Sequence, residues 1–408
     1  MSRPEIPDML GIGFGPSNLA LAVALAERGV RGRFVDAQPH FGWHRDMLLP
    51  GTRMQIPFLK DLATLRNPQS AFTFVNYLSA RGRLVDFIGR HDVFPSRHEF
   101  HDYLQWAADQ FAADVHYGCR VVGVAGSDAG FAVQLDPGEV VSARTLVLGT
   151  GLHPVLPAGT RSSLRQWHSH QLLSALAALG SLEHGRFAVV GAGQSAAEVV
   201  AYLHHTYPLA EVHAVFGRYG YSLADDSAFV NRIFDPAAVD EFYGADSVER
   251  QRLLDYHRSA NYSAVDVDLI ADLYEREYGE RVSGDRRLFL HRACRVTRAD
   301  EDDAEVRLGV RNLIDDTTET VRCDAVVYAT GYAPMDVSAF LGELASCYEF
   351  DDRGHPMATR DYKLVARPDA PGDIYLNGAT VEHSHGLGAT LLSNVAVRGG
   401  EIAAAISP

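Results

Sequence analysis

Two short stretches place glycines at spacings that build phosphate-binding turns. The first is Gly11-Ile12-Gly13-Phe14-Gly15-Pro16-Ser17-Asn18, entered from the apolar Met9-Leu10 and followed by an apolar run over 19–26. The second is Gly191-Ala192-Gly193-Gln194-Ser195-Ala196, set between Arg186–Val190 and an apolar run over 197–203. In such turns the first glycine permits the bend and the second lets the backbone approach a pyrophosphate. The free N–H groups of the helix start supply donors and a positive dipole. Pro16 stands at the third glycine position of the first turn and Ala196 at that of the second. An acid ending the next strand accepts from a ribose hydroxyl, and Asp36 closes Gly32-Arg33-Phe34-Val35-Asp36 about 25 residues past Gly11. The matching strand of the second unit, Glu211–Phe216, ends instead in Gly217-Arg218. An arginine there attracts a 2′-phosphate, which reads as NADP rather than NAD. The alternative is that Arg218 is a solvated strand-end charge.

Both turns need the same frame of buried strand, tight loop and helix. Residues 70–80 and 97–111 read as helices; in the second, Phe100, Tyr103, Leu104, Ala107 and Phe111 form one apolar stripe, as core packing requires. Residues 121–124, 131–135 and Thr145–Leu148 read as strands. The last runs into Gly149-Thr150-Gly151, a stop of small residues that lets the chain pass close to a cofactor. Pro154 and Pro157 mark a linker. Residues 225–285 interrupt the second nucleotide unit with mostly helical segments able to close over a cleft. Ala325–Tyr328 runs into a further small-residue stop, Ala329-Thr330-Gly331-Tyr332, and is expected to return the chain to the first domain. A last turn, Gly386-Leu387-Gly388-Ala389-Thr390, opens a final helix through Leu392. The expected fold is therefore α/β, with two Rossmann-like dinucleotide-binding domains and a small, mostly helical, substrate-binding insertion. Residues 1–175 plus 322–408 form the first domain, 176–224 plus 286–321 the second, and 225–285 the insertion.

A length of 408 residues exceeds one ordinary domain, and 47% hydrophobic residues support a large core. Lys plus Arg number 37 against 52 Asp plus Glu, a net charge of −15, which argues against nucleic-acid or anionic-membrane partners. Cys119, Cys294, Cys323 and Cys347 are scattered without a C-x-x-C, so no zinc ribbon or redox dithiol is expected. No run approaches 18 apolar residues and no basic-then-apolar leader opens the chain, so a cytoplasmic location is expected. The pairs His168/His170, His204/His205 and His383/His385 lack a Cys or carboxylate at ligand spacing, and no metal is expected.

Two nucleotide folds in one chain imply transfer between two cofactors, and NADPH reducing FAD is the simplest pairing. Without a dithiol a disulfide reductase is disfavoured, and no Fe–S spacing is present. Oxygen needs no protein ligand, so a monooxygenase remains. A plain NADPH:acceptor reductase and a non-catalytic flavin redox sensor stay open at this point.

The stretches GIGFGPSNLALA, MQIPFLKDLATLRNP, FTFVNYLSARGRL, FPSRHEFHDYLQW, GAGQSAAEVVAYL, DDSAFVNRIFDP, NYSAVD, YATGYAP and HGLGATLLSNVAVR resemble, in order and across nearly the whole chain, the siderophore-type flavin-dependent N-hydroxylating monooxygenases. These are the L-ornithine N5- and L-lysine N6-hydroxylases, whose first turn resembles G-x-G-P-S/A-N, so Pro16 is in keeping. The resemblance implies that NADPH reduces FAD, that the flavin takes up O2 as a C4a-hydroperoxide shielded by bound NADP+, and that the side-chain amine attacks the distal oxygen. Only the neutral amine carries a lone pair. With a pKa of about 10.4, deprotonation near pH 7.5 costs about 4 kcal/mol, which a dry site without a carboxylate beside the amine lowers.

The resemblance also assigns residues. Lys60 pairs with the substrate carboxylate, Asn231 binds the substrate backbone groups, and Asn261 holds the carboxylate near the nicotinamide. Gln55 sits over the flavin with Trp43 and His44 nearby, and Arg97 lies by the nicotinamide. Leu392 and Ser393 finish the substrate and flavin pocket. Blander readings stand beside these: Lys60 as a surface partner of Asp61, Asn231 and Asn261 as helix caps, Trp43 as core, His44 as a satisfied loop histidine and Arg97 as the partner of Glu99. A lysine at 60 asks for an anionic substrate, which favours an amino acid over a diamine. The DDSAFVN and NYSAVD stretches lean toward L-ornithine. Gly388-Ala389 stand where ornithine enzymes tend toward Ser-Asp, and L-lysine is the second candidate. The resemblance further implies a homo-oligomer, often a tetramer.

Overall fold

The computed structural model describes residues 9–180, 182–225 and 227–407; Asp226 of the DDSAFVN stretch lies outside them. Both glycine turns join a strand to a helix. The first sheet has five parallel strands in the order Asp373–Leu376, Thr145–Leu148, Met9–Ile12, Arg33–Asp36, Val115–Tyr117. The helix Pro16–Glu27 is apolar on every side, and every residue from Asn18 to Leu25 is buried. A helix of that kind must be covered all round. The final helix, Val395–Ile406, supplies the second cover. Gly399 permits the contact, because a Cβ there would stand 2.9 Å from the Ala20 carbonyl carbon.

The second sheet is also parallel, in the order Leu288–Arg292, Glu211–Phe216, Arg186–Val190, Ala325–Tyr328, Gln166–His168. Two expected domain boundaries are thereby corrected. Ala325–Tyr328 does not return to the first sheet but pairs with Arg186–Val190, and Gln166–His168, expected in the first domain, forms the second sheet's edge. The stops Gly149-Thr150-Gly151 and Ala329-Thr330-Gly331 look alike locally, so composition alone does not say which sheet each strand joins. Each domain in fact runs from nucleotide turn to a three-stranded antiparallel meander and then to a strand with a small-residue stop. The meanders are Arg120–Ser127, Gly130–Asp136, Val140–Ala143 and Cys294–Glu301, Val306–Asn312, Thr318–Cys323. The chain beyond the two stops pairs as a short ribbon, Leu152–Pro154 against Tyr332–Pro334, joining the domains.

The helix expected over 70–80 starts later, at Phe74, with Thr73 as a side-chain cap accepting from Asn76 N–H at 3.2 Å. The helix expected over 97–111 spans Arg97–Asp109, capped by Ser96; it buries Phe100, Tyr103, Leu104 and Ala107, and Phe111 is buried just beyond its end. The insertion contains Ala238–Gly244, Ser247–His257 and Val267–Ser283. The first packs against Glu382–His385, near the end of the chain, and the last against Gln194–Thr206 of the second domain. Val265 and Leu273 enter that domain's core.

Candidate active site

The two turns are built alike. Gly13 has φ +84° and donates to the Val35 carbonyl at 2.8 Å; a Cβ on it would meet the Gly149 carbonyl oxygen at 2.6 Å. Gly191 has φ +144°, and its Cβ would meet the Ala329 carbonyl oxygen at 2.3 Å. Each turn thus slides past the stop of its neighbouring strand, where only glycine fits. Gly15 and Gly193 cap the helices that follow, without a side-chain cap. A Cβ on Gly15 would meet nothing within 4 Å, so the backbone there faces open space. Neither helix carries an acid in its first turn. These are cradles of the kind a pyrophosphate fills.

A cleft of about 3910 Å³ runs along both turns, against ~300–1,000 Å³ for an ordinary small-molecule pocket. It has room for more than one large ligand. Gly13, Gly15, Pro16, Ser17 and Asp36 line it from the first domain, and Gly191, Gly193, Gln194 and Ser195 from the second. Trp43, His44, Gln55, Lys60 and Arg97 line its middle, with Asn231 and Asn261 from the insertion and Gly331, Tyr332, Leu392 and Ser393 beyond. Two expected site residues lie outside the lining. Gly11 is packed beneath Phe34, whose ring would stand 2.2 Å from a Cβ. Arg218 is exposed at the end of its strand and donates to the Ser263 carbonyl at 2.8 Å.

Asp36 accepts from the Phe14 N–H at 2.6 Å and the Gln38 N–H at 2.7 Å, which fixes its carboxylate at the cleft wall. Lys60 is half-buried. Its neighbour Asp61 turns inward, accepting from the N–H groups of Ala63, Thr64 and Phe74 at 2.9, 2.6 and 2.7 Å and from the Thr64 hydroxyl at 2.7 Å. Burial still pushes that carboxyl's pKa up. Asp61 is therefore an organiser of the loop, not a partner of Lys60, and among the described residues no carboxylate pairs with the Lys60 ammonium.

Arg97 does not pair with Glu99, which faces Arg83 and Arg90. Its two terminal nitrogens donate to both oxygens of Glu198 at 2.7 Å. Burial raises the pKa of Glu198, opposed by the guanidinium. Gln194 Nε2 donates to Glu198 and to Asp266, each at 2.9 Å, and its Oε1 accepts from the Asp266 N–H at 2.9 Å. Gln55 Nε2 donates to the other Asp266 oxygen at 2.7 Å. One network thus ties a loop of the first domain, the second nucleotide turn and the insertion. Sequence reading missed Asp266 and Glu198. Asp266 ends the NYSAVD stretch and Glu198 lies one helical turn past Gln194, the only signals either gives.

His44 adopts a left-handed backbone, φ +49°, that turns its ring edge-on to Trp43 at 4.8 Å. It is open to the cleft yet ringed by protein, and this desolvation, with the Arg97 charge, lowers its pKa to about 4. Trp43 also meets Phe100 edge-on at 6.0 Å. Asn231 lies within the short helical turn Val230–Phe234, not at its start. Asn261 Nδ2 donates to Thr390 Oγ1 at 3.1 Å, joining the insertion to the last turn of the chain. Ser393 is buried and Leu392 partly so. Gly388 of that last turn makes room for Asn394, whose amide nitrogen would stand 2.5 Å from a Cβ.

The model of the L-lysine 6-monooxygenase/L-ornithine 5-monooxygenase family matches residues 5–334. The chain belongs to this family. It is 40% identical over 407 residues to an L-ornithine N(5)-monooxygenase of Burkholderia cepacia, covering 95% of this chain and 91% of that one. Among solved structures it resembles the ornithine N-hydroxylase of Kutzneria sp. 744 with reduced FAD, NADP+ and L-ornithine, at TM-score 0.94 and 42% identity over 98% of this chain and 99% of that one. It also resembles the ornithine hydroxylase of Pseudomonas aeruginosa, at TM-score 0.91 and 35% identity over 98% and 99%. These family members are flavin monooxygenases, and the two-Rossmann architecture expected from the sequence is theirs.

Proposed function

We propose that this chain is an FAD- and NADPH-dependent monooxygenase that hydroxylates N5 of L-ornithine. The observation that carries it is Lys60, an ammonium without a carboxylate partner among the described residues, in a cleft that also runs along two dinucleotide turns. An α-carboxylate is the natural partner for that charge. Relatives named for ornithine, at 35–42% identity over nearly the full chain, support the choice of amino acid.

Gly13, Gly15, Pro16, Ser17 and Asp36 would hold FAD, with Gly11 shaping the turn from beneath, and Gly191, Gly193, Gln194 and Ser195 would hold NADPH, with Arg218 at the end of its strand as the partner for the 2′-phosphate. The flavin, reduced by NADPH, supplies activated O2 when bound. The chain's own residues do the rest. Lys60 and Asn261 hold the substrate carboxylate, Asn231 the backbone groups, and Leu392 and Ser393 close the pocket. Gln55, Trp43 and His44, in the middle of the cleft, would flank the flavin, with Gly331 and Tyr332 where the two cofactors would meet. Arg97, its charge met and its side chain held by Glu198, would stand beside the nicotinamide. The amine must be kept neutral. Glu382, which lines the cleft, is occupied by the Tyr262 hydroxyl, and burial raises its pKa.

No helix among the described residues is long and apolar enough to cross a membrane. A cytoplasmic homo-oligomer, a tetramer by family likeness, feeding a hydroxamate siderophore or related product completes the proposal. The test is product analysis with L-ornithine, L-lysine and putrescine. N5-hydroxyornithine as main product is expected. Equal turnover of putrescine removes the carboxylate argument, and NADPH oxidation without any hydroxylamine makes the protein a reductase.

A further inference from the structure

The final helix carries an arginine, Arg398, that is 2% exposed. Its Nε donates to Asn377 Oδ1 at 2.9 Å, one terminal nitrogen to the Ala389 carbonyl at 3.0 Å and the other to Ser17 Oγ at 3.2 Å. All three acceptors are neutral. Glu401, one turn further along the helix, is held instead by Arg360 at 3.1 and 3.2 Å. Among the described residues no carboxylate forms an ion pair with Arg398. Glu401 acts on Arg398 only through space, and a buried charge without a directly paired counter-charge is unfavourable; burial holds this guanidinium's pKa below its usual value against the opposing pull of Tyr362 and Glu401.

The side chain is wired to the first nucleotide turn. Ser17 is the second residue of the helix whose start faces open space at Gly15. Asn377, which accepts from Arg398, donates to the Ser17 carbonyl and to Asn18 Oδ1, each at 3.0 Å. Asn18 in turn donates to the Gly13 carbonyl at 2.7 Å. The guanidinium therefore stands directly behind the turn from Gly13 to Ser17, and Ser17, Asn18 and Asn377, which link it to that turn, are all uncharged.

We propose that Arg398 is the buried counter-charge for the pyrophosphate of the dinucleotide at the first turn. The apoprotein tolerates an unpaired cation, and the incoming anion compensates it in a medium where charges are weakly screened. This rests on the reading that the first turn holds FAD. The competing explanation is a neutral strut, in which the fork merely ties Ser17, Asn377 and Ala389 together.

The two differ in what the apoprotein needs. FAD is removed, and wild type, R398M and R398K are titrated with FAD by flavin fluorescence and melted without it. Methionine keeps much of the volume and no charge; lysine keeps the charge without the fork. The expected result is FAD binding about tenfold weaker or worse in R398M, which is about 1.4 kcal/mol, and within about threefold of wild type in R398K. The R398M apoprotein should melt no lower than wild type. Unchanged FAD affinity in R398M overturns the proposal, as does equal loss in both variants. An R398M apoprotein that fails to fold overturns it too, because a cation whose partner arrives with the ligand is not what the empty fold requires. A wild type that takes up no FAD would overturn the cofactor assignment, and the proposal with it.

Discussion

Lys60 is one of only two lysines in the chain, and its neighbour explains its availability. Asp61, the obvious surface partner in the sequence, is consumed by four hydrogen bonds inside its own loop. In Lys60→Ala, reduction of the flavin by NADPH should persist while the KM for ornithine rises about ten- to a hundredfold, the worth of a charge-assisted hydrogen bond. An unchanged KM in steady-state assays removes Lys60 from the substrate site. Arg218, exposed and outside the cleft lining, donates to a backbone carbonyl, that of Ser263, and forms no ion pair among the described residues. In Arg218→Ala the preference for NADPH over NADH should fall about tenfold or more through loss of a charge-assisted contact; an unaltered ratio of kcat/KM values makes it a solvated strand end. At this scale the residue types were legible but their pairings were not. The blander alternative for Arg97, a pair with the nearest acid in sequence, Glu99, does not form, and its partner Glu198 comes from the other domain. Long-range ion pairs leave no periodic trace in a sequence.

At the scale of elements, each nucleotide turn is legible because its geometry forbids side chains. Gly13 and Gly191 both have positive φ and both press on a carbonyl of the adjacent strand's exit. Gly191→Ala adds strain and a clash worth about 1–3 kcal/mol. It should raise the KM for NADPH at least tenfold while FAD content, measured by absorbance, stays that of wild type. Equal loss of FAD would mean that the turn serves the first site as well. What the elements did not reveal was which sheet Ala325–Tyr328 joins. The two small-residue stops solve the same steric problem, a turn crossing close by, and so converge on the same composition. Only the pairing with Arg186–Val190 separates them.

At the scale of the molecule, two parallel sheets and an insertion enclose one cleft, and the insertion touches both domains. Its helix Val267–Ser283 lies on the second domain, while Asn261 and Tyr262 reach Thr390 and Glu382 at the end of the first. The same close packing buries histidines. Desolvation lowers the pKa of His168 and of His385 from 6.5 to about 4. His168 also faces His170 and the Gly331 carbonyl, and His385 the Arg360 carbonyl and guanidinium. Between those values the unfolded chain binds more protons than the native one, so each contributes about 3 kcal/mol above pH 6.5 that is lost as the pH falls toward 4. Their ring protons, followed by NMR, should show no titration until near pH 4; a midpoint near 6.5 would contradict their burial.

One cleft is expected to couple NADPH oxidation to hydroxylation of a carboxylate-bearing amine. This coupling is tested most directly by the amount of N5-hydroxyornithine formed per NADPH consumed by the purified, FAD-loaded protein in air. Ornithine is expected to accelerate NADPH oxidation, with product following nearly one for one. NADPH consumed at the same rate with and without ornithine, with peroxide and no hydroxylamine as product, would contradict it.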